Sequence, residues 1–255
     1  MSESLTIGIP AYNERDNIEA AVREAQGTGR RSGLDFEILV VDDASRDGTG
    51  EVLERLAREI PELRVVRHPE NRGIVAAFQS LYDHTRRELL FMNAADHQWK
   101  MDEVFPMLEA LRRDRLDLVV GRRVDKQYTA YRKLISHGFR IMTETLFGVP
   151  VWDPGSIKLM REPIRRIPVV STGVFEQAER IIRAHHMGYR VGHVDVAHLP
   201  RTAGKAGGAS WRNVRSAVTE LFRFYAAYRR GLGRAEPTEP AAPANGGAPT
   251  TGARR

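Results

Sequence analysis

The stretch F-E-I-L-V-V-D-D-A-S-R-D-G-T, residues 36–49, contains a complete passage from strand to helix. Its apolar run, Phe36 to Val41, has the length and composition of a buried strand, and Asp42-Asp43 ends it. Asp47-Gly48 is a turn signal, after which apolar residues recur at helical spacing from Thr49 to Ile60. The stretch therefore predicts one β-loop-α unit with two acidic residues at the end of its strand.

The same unit repeats on both sides of this stretch. Upstream, the apolar run Leu5 to Ile9 predicts a strand that Pro10 ends, and a helix follows over Asp16 to Gln26. Downstream, strands are predicted at residues 63–67, 88–92 and 116–120, and helices at residues 73–85 and 102–113. This alternation predicts an α/β fold with a Rossmann-like, mostly parallel sheet and helices on both of its faces.

Beyond Gly121 the alternation is looser. The predicted elements there are helices at residues 131–146 and 175–187, strands at 156–160 and 189–199, a Gly-rich loop at 201–209 and a last amphipathic helix that ends near residue 230. Residues 233–255 are rich in Pro, Ala and Gly and have almost no large apolar side chain, which predicts a disordered tail. We therefore expect one domain at residues 1–232, with halves at 1–121 and 122–232.

Composition restricts the class of protein. The chain has 255 residues, a formal charge of +6 and no cysteine, which excludes disulfides and thiolate metal sites. It has neither an apolar run of the ~20 residues needed to cross a bilayer nor a signal-peptide pattern, so we expect a cytoplasmic protein. The positive charge suits an anionic partner such as a nucleotide or a phospholipid surface. Scattered cations without an aromatic platform argue against nucleic acid.

Polar segments follow three of the predicted strands, at residues 12–14, 42–43 and 93–98. Ligands of parallel sheets bind at the carboxyl ends of the strands, so these segments are expected to converge on one crevice. Asp42 and Asp43 would accept hydrogen bonds from a nucleobase or a ribose there. Turn formation or helix capping explains acids at a strand end equally well, and both interpretations stay open.

The segment after the third of these strands predicts a metal site. Asp96 and Gln98 offer hard oxygen donors, which suit Mg²⁺ or Mn²⁺ whose shell is completed by water and phosphate oxygens. We interpret His97 as a loop residue, because one histidine beside a carboxylate does not make a metal site.

The second half of the chain contains further charged candidates. Several of its cations could bind a phosphate, and the candidates are Arg122, Arg123, Arg132, Lys133, Arg201 and Lys205. Asp153 is predicted to lie in a turn with the Pro and Gly that follow it. Two acids and two cations of a predicted helix lie four residues apart and are interpreted as surface ion pairs: Glu176, Glu179, Arg180 and Arg183.

Three segments resemble motifs of family 2 glycosyltransferases, in particular the branch that makes dolichyl-phosphate and polyprenyl-phosphate sugars. They are I-P-A-Y-N-E-R-D-N-I at residues 9–18, V-V-D-D-A-S-R-D-G-T at 40–49 and Y-R-K-L-I-S at 131–136. The resemblance implies a GT-A fold in which residues 1–121 bind the nucleotide and residues 122–232 face the acceptor. It also implies that Asp96 and Gln98 hold the metal and that the nucleotide is surrounded by Pro10, Tyr12, Glu14 and Asp43.

The chain departs from the family's D-x-D-x-Q signature, which falls on Ala94, Asp96 and Gln98. The first acidic position is therefore alanine, and the loss of one carboxylate is expected to weaken metal binding. Asn93, one position earlier, is the candidate substitute.

A second departure lies in the late loop. The branch's R-x-x-G-x-S-K pattern matches Arg201 and Gly204, but Ala206 and Gly207 occupy its last two positions. Lys205 is the candidate substitute for the missing cation.

The resemblance implies inverting transfer of a hexose from a GDP-mannose or UDP-glucose type donor to a polyprenyl or dolichyl phosphate. A phosphate acceptor is already anionic and needs only cations to position it. The catalytic candidates are accordingly Asp96, Arg123, Arg132 and Arg201. A hydroxyl acceptor would require a base, and no sequence context identifies one among the candidate carboxylates Asp153, Glu176 and Glu179, which favours the lipid phosphate.

Two alternatives stay open. One is a family 2 transferase that acts on a hydroxyl of a glycan or small molecule, and the other is a metal-impaired homologue that binds nucleotide without turnover. For the lipid-phosphate hypothesis we expect peripheral contact with the inner membrane surface, through a partner protein or the last helix. Packing against its own domain is the preferred interpretation of that helix.

Overall fold

The computed structural model describes residues 3–124, 130–197, 199 and 211–230, which form a seven-stranded sheet with helices around it. The predicted loop at residues 201–209 and the predicted tail at 233–255 lie outside the described residues. The strands are β1 (Ser4–Ala11), β2 (Asp35–Asp42), β3 (Leu63–Arg67), β4 (Leu89–Met92), β5 (Leu118–Arg123), β6 (Lys158–Arg161) and β7 (Val191–Val196). They lie in the order β3-β2-β1-β4-β6-β5-β7.

Helices cover both faces of this sheet, as the alternation in the sequence predicts. They are α1 (Arg15–Ser32), α2 (Thr49–Glu59), α3 (Ile74–His84), α4 (Val104–Arg113), α5 (Ala130–Phe147), α6 (Glu162–Arg165), α7 (Glu176–His186) and α8 (Trp211–Arg229). Successive side chains of β2 divide between two cores, Ile38 and Val40 in one and Leu39 and Val41 in the other. Of the helices described, none is long and apolar enough to span a membrane.

The strand β6 is antiparallel to both of its neighbours, β4 and β5, whereas the other neighbouring strands are parallel. The prediction of a mostly parallel sheet is therefore confirmed, but the direction of β6 was not predicted. A short apolar run indicates a strand without indicating its direction, because direction depends on the partner strands.

The helix α1 extends to Ser32, six residues beyond the predicted end at Gln26. Two glycines, Gly27 and Gly29, lie in the added part of the helix. A side chain at position 29 would bring a Cβ atom to 2.3 Å from the ring of Phe36 in β2. Gly29 therefore lets the helix approach the sheet closely, and the helix ends only at Gly33, whose φ is +68°.

The prediction that the ion pairs of α7 lie at the surface is wrong. Its charged residues are almost completely buried, with Glu176 at 3% and Glu179 at 0% exposure. Arg180 bonds to Glu176 at 2.7 Å, and Arg183 bonds to Glu179 at 2.7 Å. The spacing correctly predicted the pairs, but burial depends on α7 being enclosed by other parts of the chain, which helical spacing does not reveal.

Candidate functional site

Three loops follow neighbouring strands at the carboxyl edge of the sheet. In the register of the sheet, Ala11 of β1 lies beside Asp42 of β2, and Gly8 of β1 lies beside Met92 of β4. The segments that start at residues 11, 43 and 93 therefore begin at the same edge. This arrangement brings together the polar segments that the sequence predicted to converge.

The first two loops are joined by hydrogen bonds between backbone and side chain. Asn13 donates from its N–H to Ser45 Oγ at 2.9 Å, and Arg46 donates from its N–H to Asn13 Oδ1 at 2.9 Å. Asn13 has a φ of +55°, in the left-handed region that asparagine tolerates better than most residues. These bonds hold Tyr12, whose side chain is 47% exposed, next to the loop after β2.

Asp47 makes the second set of bonds between these loops. Its carboxylate accepts from Arg15 N–H at 3.0 Å and from the Thr49 hydroxyl at 2.6 Å. Burial raises the pKa of Asp47, but these hydrogen bonds outweigh burial and the net shift is downward. Glu14 donates from its N–H to Thr49 Oγ1, and its carboxylate accepts from Asn17 within the first turn of α1. Asp47 is therefore a scaffold residue, and the Glu14 side chain bonds to the neighbouring Asn17 side chain.

Asp42 and Asp43 both make local hydrogen bonds. Asp42 is fully buried and accepts from Ser45 N–H at 3.0 Å. Asp43 accepts from the N–H groups of Arg72 at 2.9 Å and Gly73 at 2.7 Å, and His68 donates to it from Nδ1 at 2.6 Å. A carboxylate has about four acceptor sites, so Asp43 retains capacity for a nucleotide. Asp42 has no exposed surface, and we therefore withdraw its direct contact with the nucleotide.

A cavity of about 490 Å³ lies at the ends of β2 and β3, beside the loop that Asn13 contacts. Its lining consists of Ala44, Ser45, Arg46, Arg67, His68, Pro69 and Glu70. Sequence reasoning missed Arg46, Arg67 and His68, because arginine or histidine after a strand carries no signal by itself. Because His68 contacts Asp43 and the Arg67 Nε lies 3.3 Å from Asp42 Oδ2, this cavity is the candidate site for the nucleoside.

The loop after β4 is closed by Asn93. Its amide nitrogen lies 3.4 Å from the carbonyl oxygen of Lys100 and 3.2 Å from Met101 Sδ, and its amide oxygen accepts from Ala94 N–H at 2.8 Å. The Asn93 side chain is thus engaged in the loop itself. The amide oxygen keeps one further acceptor site, so the replacement of the missing acid at Ala94 by Asn93 stays a prediction.

Asp96 and Gln98 are the oxygen donors of this loop. Asp96 is 4% exposed, and its Oδ1 accepts from Gln98 N–H at 3.2 Å. Across the described ranges there is no group of three His, Asp or Glu residues that could hold a metal alone. One carboxylate and one amide fit a divalent ion that takes its remaining ligands from a diphosphate and water. The other predicted contacts, Pro10 at the end of β1 and the exposed Tyr12, border this edge.

Arg123 ends β5 and is held by Asp153. Its backbone N–H and its Nε each donate to the Asp153 carboxylate at 3.0 Å, and Nη2 donates to the same group. Its guanidinium lies 5.9 Å from the ring of Trp99, which belongs to the loop after β4. Arg123 therefore lies between the turn at Asp153 and the loop that carries Asp96. The other two predicted cations, Arg201 and the side chain of Arg132, lie outside the described residues.

The carboxylates considered as general bases are engaged elsewhere. Asp153 binds Arg123, and Glu176 accepts from Arg180. Glu179 accepts from Arg183 and from the N–H groups of Val170 and Ser171, each of the latter at 2.9 Å. These bonds make all three acids structural.

Two curated relatives each match about half of this chain. The chain is 31% identical over 159 residues to a dolichyl-phosphate beta-glucosyltransferase of Trichomonas vaginalis, an alignment that covers 56% of this chain and 47% of the relative. It is 30% identical over 139 residues to a dolichol-phosphate mannosyltransferase of Pyrococcus furiosus, covering 52% and 38%. The chain thus spans less than half the length of these curated relatives.

The fold is shared with a solved mannosyltransferase of Pyrobaculum calidifontis, determined with GDP-Man and Mn²⁺. The TM-score is 0.63 at 22% identity, and the match covers 88% of this chain and 64% of that one. This likeness confirms the GT-A fold that the motifs imply. Residues 6–167 match the family described as Glycosyl transferase family 2. Since this match covers more than half of the chain, the protein belongs to glycosyl transferase family 2.

Proposed function

We propose that this protein transfers a hexose, with inversion, from a nucleotide-diphosphate sugar to a polyprenyl or dolichyl phosphate. One observation carries the choice of acceptor: the three candidate bases are all engaged in structural bonds, and Asp153 uses its bond to hold Arg123 beside the loop that carries Asp96. A hydroxyl acceptor needs a group to remove its proton, whereas a phosphate needs only positive charge to position it. The names of the relatives, which are dolichyl-phosphate transferases, support the same acceptor.

The donor is proposed to occupy the cavity at the ends of β2 and β3, with its diphosphate directed to the loop after β4. Asp96 and Gln98 would hold Mg²⁺ or Mn²⁺ together with that diphosphate. When bound, such an ion neutralises charge on the leaving diphosphate. Asp96, Arg123, Arg132 and Arg201 remain the proposed catalytic residues, and Pro10, Tyr12, Glu14 and Asp43 the proposed surroundings of the nucleotide.

The domain at residues 1–232 is proposed to work at the cytoplasmic face of a membrane, where the lipid acceptor lies. The helix α8 supports this placement. Leu221 and Phe224 are buried, and Phe224 stacks on Phe147 at 5.3 Å, so the helix docks on its own domain. Phe222 on the same helix is 51% exposed, and Arg223 beside it is exposed as well. An apolar side chain with neighbouring cations suits the surface of an anionic bilayer.

The test incubates purified protein with labelled UDP-glucose or GDP-mannose, polyprenyl phosphate, and Mg²⁺, Mn²⁺ or EDTA. We expect label that extracts into organic solvent with one nucleotide sugar and that depends on the metal. Label transferred only to water-soluble acceptors would overturn the lipid acceptor in favour of a hydroxyl. Nucleotide binding without transfer to any acceptor would indicate the metal-impaired alternative, which Ala94→Asp should then reverse.

A further inference from the structure

A buried lysine lies at the carboxyl edge of the sheet, between the candidate metal loop and Arg123. Lys158 is the first residue of β6 and pairs with Met92, the last residue of β4, and with Val120 of β5. Because β6 is antiparallel, its first residue lies at the edge where β4 and β5 end. The side chain is almost entirely buried, at 3% exposure. The ammonium group is therefore enclosed directly beside the site.

Lys158 donates to backbone carbonyls. Its Nζ bonds to the carbonyl oxygens of Pro154 at 2.6 Å and Ser156 at 2.9 Å. Burial lowers the pKa of Lys158 to about 8, although the negative charges of Glu176 and Asp153 favour the charged form. Neutral carbonyls compensate a buried ammonium only in part, so an apolar side chain would suit stability better. The presence of a lysine at this buried position is better explained by its bonds to the turn at residues 153–156.

That turn carries Asp153, the partner of Arg123. Asp153 has a φ of +37°, a region that costs a non-glycine residue on the order of 1 kcal/mol and persists only where the surroundings hold it. Ser156 donates from its N–H to the Asp153 carbonyl at 2.9 Å, which closes the turn. Lys158 then fixes the carbonyls on both sides of Gly155. Contacts run without a gap from the ammonium through the turn to the Arg123 guanidinium.

We propose that Lys158 is a positioning residue for the acceptor phosphate: it holds the turn at residues 153–156 in the form in which Asp153 orients Arg123. The inference deepens the proposed function and rests on it, since the orientation of Arg123 matters only when an anionic acceptor binds there. The antiparallel strand β6, which carries Lys158, would thereby contribute to acceptor binding. The nucleoside of the donor is proposed to lie in the cavity at the ends of β2 and β3, away from this turn, so the affinity for the donor nucleotide should depend little on Lys158.

The kinetic test compares two cation-to-methionine changes at opposite ends of β6 in the full chain. Lys158→Met removes the proposed positioning group, and we expect the KM for polyprenyl phosphate to rise about tenfold, with the Kd for the donor nucleotide within about twofold. Arg161→Met is the matched control. Arg161 donates to Glu88 and Glu3 at the far edge, so its loss should lower Tm and leave the KM for the acceptor unchanged. An unchanged acceptor KM in Lys158→Met would overturn the proposal.

A second readout needs no transfer reaction. The ¹H–¹⁵N spectrum of arginine Nε–H groups reports Arg123 directly, and Arg123→Lys assigns its signal. We expect Lys158→Met to shift or broaden this signal and Arg161→Met to leave it in place. A signal that stays unchanged in Lys158→Met overturns the positioning role whatever the transfer assay gives. If Lys158→Met does not fold, Lys158→Gln, whose side-chain NH2 group can still donate to the turn, takes its place with a smaller expected shift.

The two proposals fail in different ways. An Arg123→Met variant with unchanged KM for polyprenyl phosphate would overturn the role of Arg123 in the proposed function, without affecting the NMR comparison. A raised KM in Arg123→Met together with an unaltered Arg123 signal in Lys158→Met would overturn only the role of Lys158.

Discussion

Arg123 and Asp153 form a largely buried pair in which a backbone N–H and two guanidinium nitrogens of the arginine donate to one carboxylate. The side chains are 16% and 6% exposed. The preceding residue, Arg122, donates from two guanidinium nitrogens to the two carboxylate oxygens of Asp195, and there the side chains are 36% and 47% exposed. Two adjacent arginines thus pair with aspartates in different environments, and the exposed pair is a control for the largely buried one.

Asp153→Asn should raise the KM for the acceptor by about tenfold to a hundredfold, because an amide oxygen holds a guanidinium less firmly and Arg123 loses its orientation. Asp195→Asn should leave that KM close to its original value, since an exposed pair contributes little. Steady-state kinetics with saturating donor measure both. Equal effects of the two changes would contradict a special role for Asp153.

Glu176→Gln should lower the free energy of unfolding by about 3–5 kcal/mol, because it leaves Arg180 buried with its charge uncompensated. Urea unfolding followed by circular dichroism measures this change. Glu19 pairs with Arg23 and Arg55 on the surface, so Glu19→Gln should have a much smaller effect. A small effect at Glu176 would mean that water reaches Arg180 in solution.

The stability of the protein should depend on the titration of Lys158. Its folded pKa of about 8 lies below the ordinary lysine value of 10.5, mainly because of burial. Between these values the unfolded chain binds one proton more than the native protein, so the free energy of unfolding rises with pH, by up to ~1.4 kcal/mol per pH unit. Below pH 8 this contribution is constant. Urea unfolding of the original protein and of Lys158→Met from pH 7 to 10 isolates the contribution of Lys158. The prediction would be contradicted if the free energies of unfolding of the two proteins changed with pH in the same way.

Ala94→Asp should strengthen binding of Mn²⁺ by about tenfold in the presence of a nucleoside diphosphate, because it adds a carboxylate to a donor set of Asp96 and Gln98. Calorimetric titration of Mn²⁺ with and without GDP or UDP measures this change. Without the nucleotide we expect weak binding in the original protein, since the ion depends on phosphate oxygens. Tight binding in the absence of nucleotide would indicate further protein ligands.

Replacement by alanine should have opposite effects on stability at two glycines of α1. At Gly29 the added Cβ atom meets the Phe36 ring at 2.3 Å, and overpacking of this kind costs about 1–3 kcal/mol. At Gly27 the nearest atom is the flexible end of Arg31 at 3.3 Å, so the better helix propensity of alanine should stabilise by up to ~1 kcal/mol. Thermal unfolding of the two variants shows whether each change lowers or raises the Tm. Destabilisation by both would contradict the packing argument.

The sequence by itself determined the strand-loop-helix units, since hydrophobic periodicity sets both the kind of element and the face that it buries. It also determined which segments meet at the site, because parallel strands place their carboxyl ends at one edge. The motifs at residues 9–18, 40–49 and 131–136 indicated the family before any contact was known. These properties are local, or follow from the rule that successive strands of such a fold run in the same direction.

Strand direction, burial and pairing between distant segments were decided only by the tertiary structure. The direction of β6 follows from its place between β4 and β5, and with it the position of Lys158 at the edge of the site. The burial of α7 converted the pair Glu176 and Arg180 from a predicted surface contact into a buried one. The engagement of Asp153 with Arg123 joins residues 30 positions apart. Each depends on packing between segments far apart in the chain, and neither residue type nor spacing encodes such packing locally.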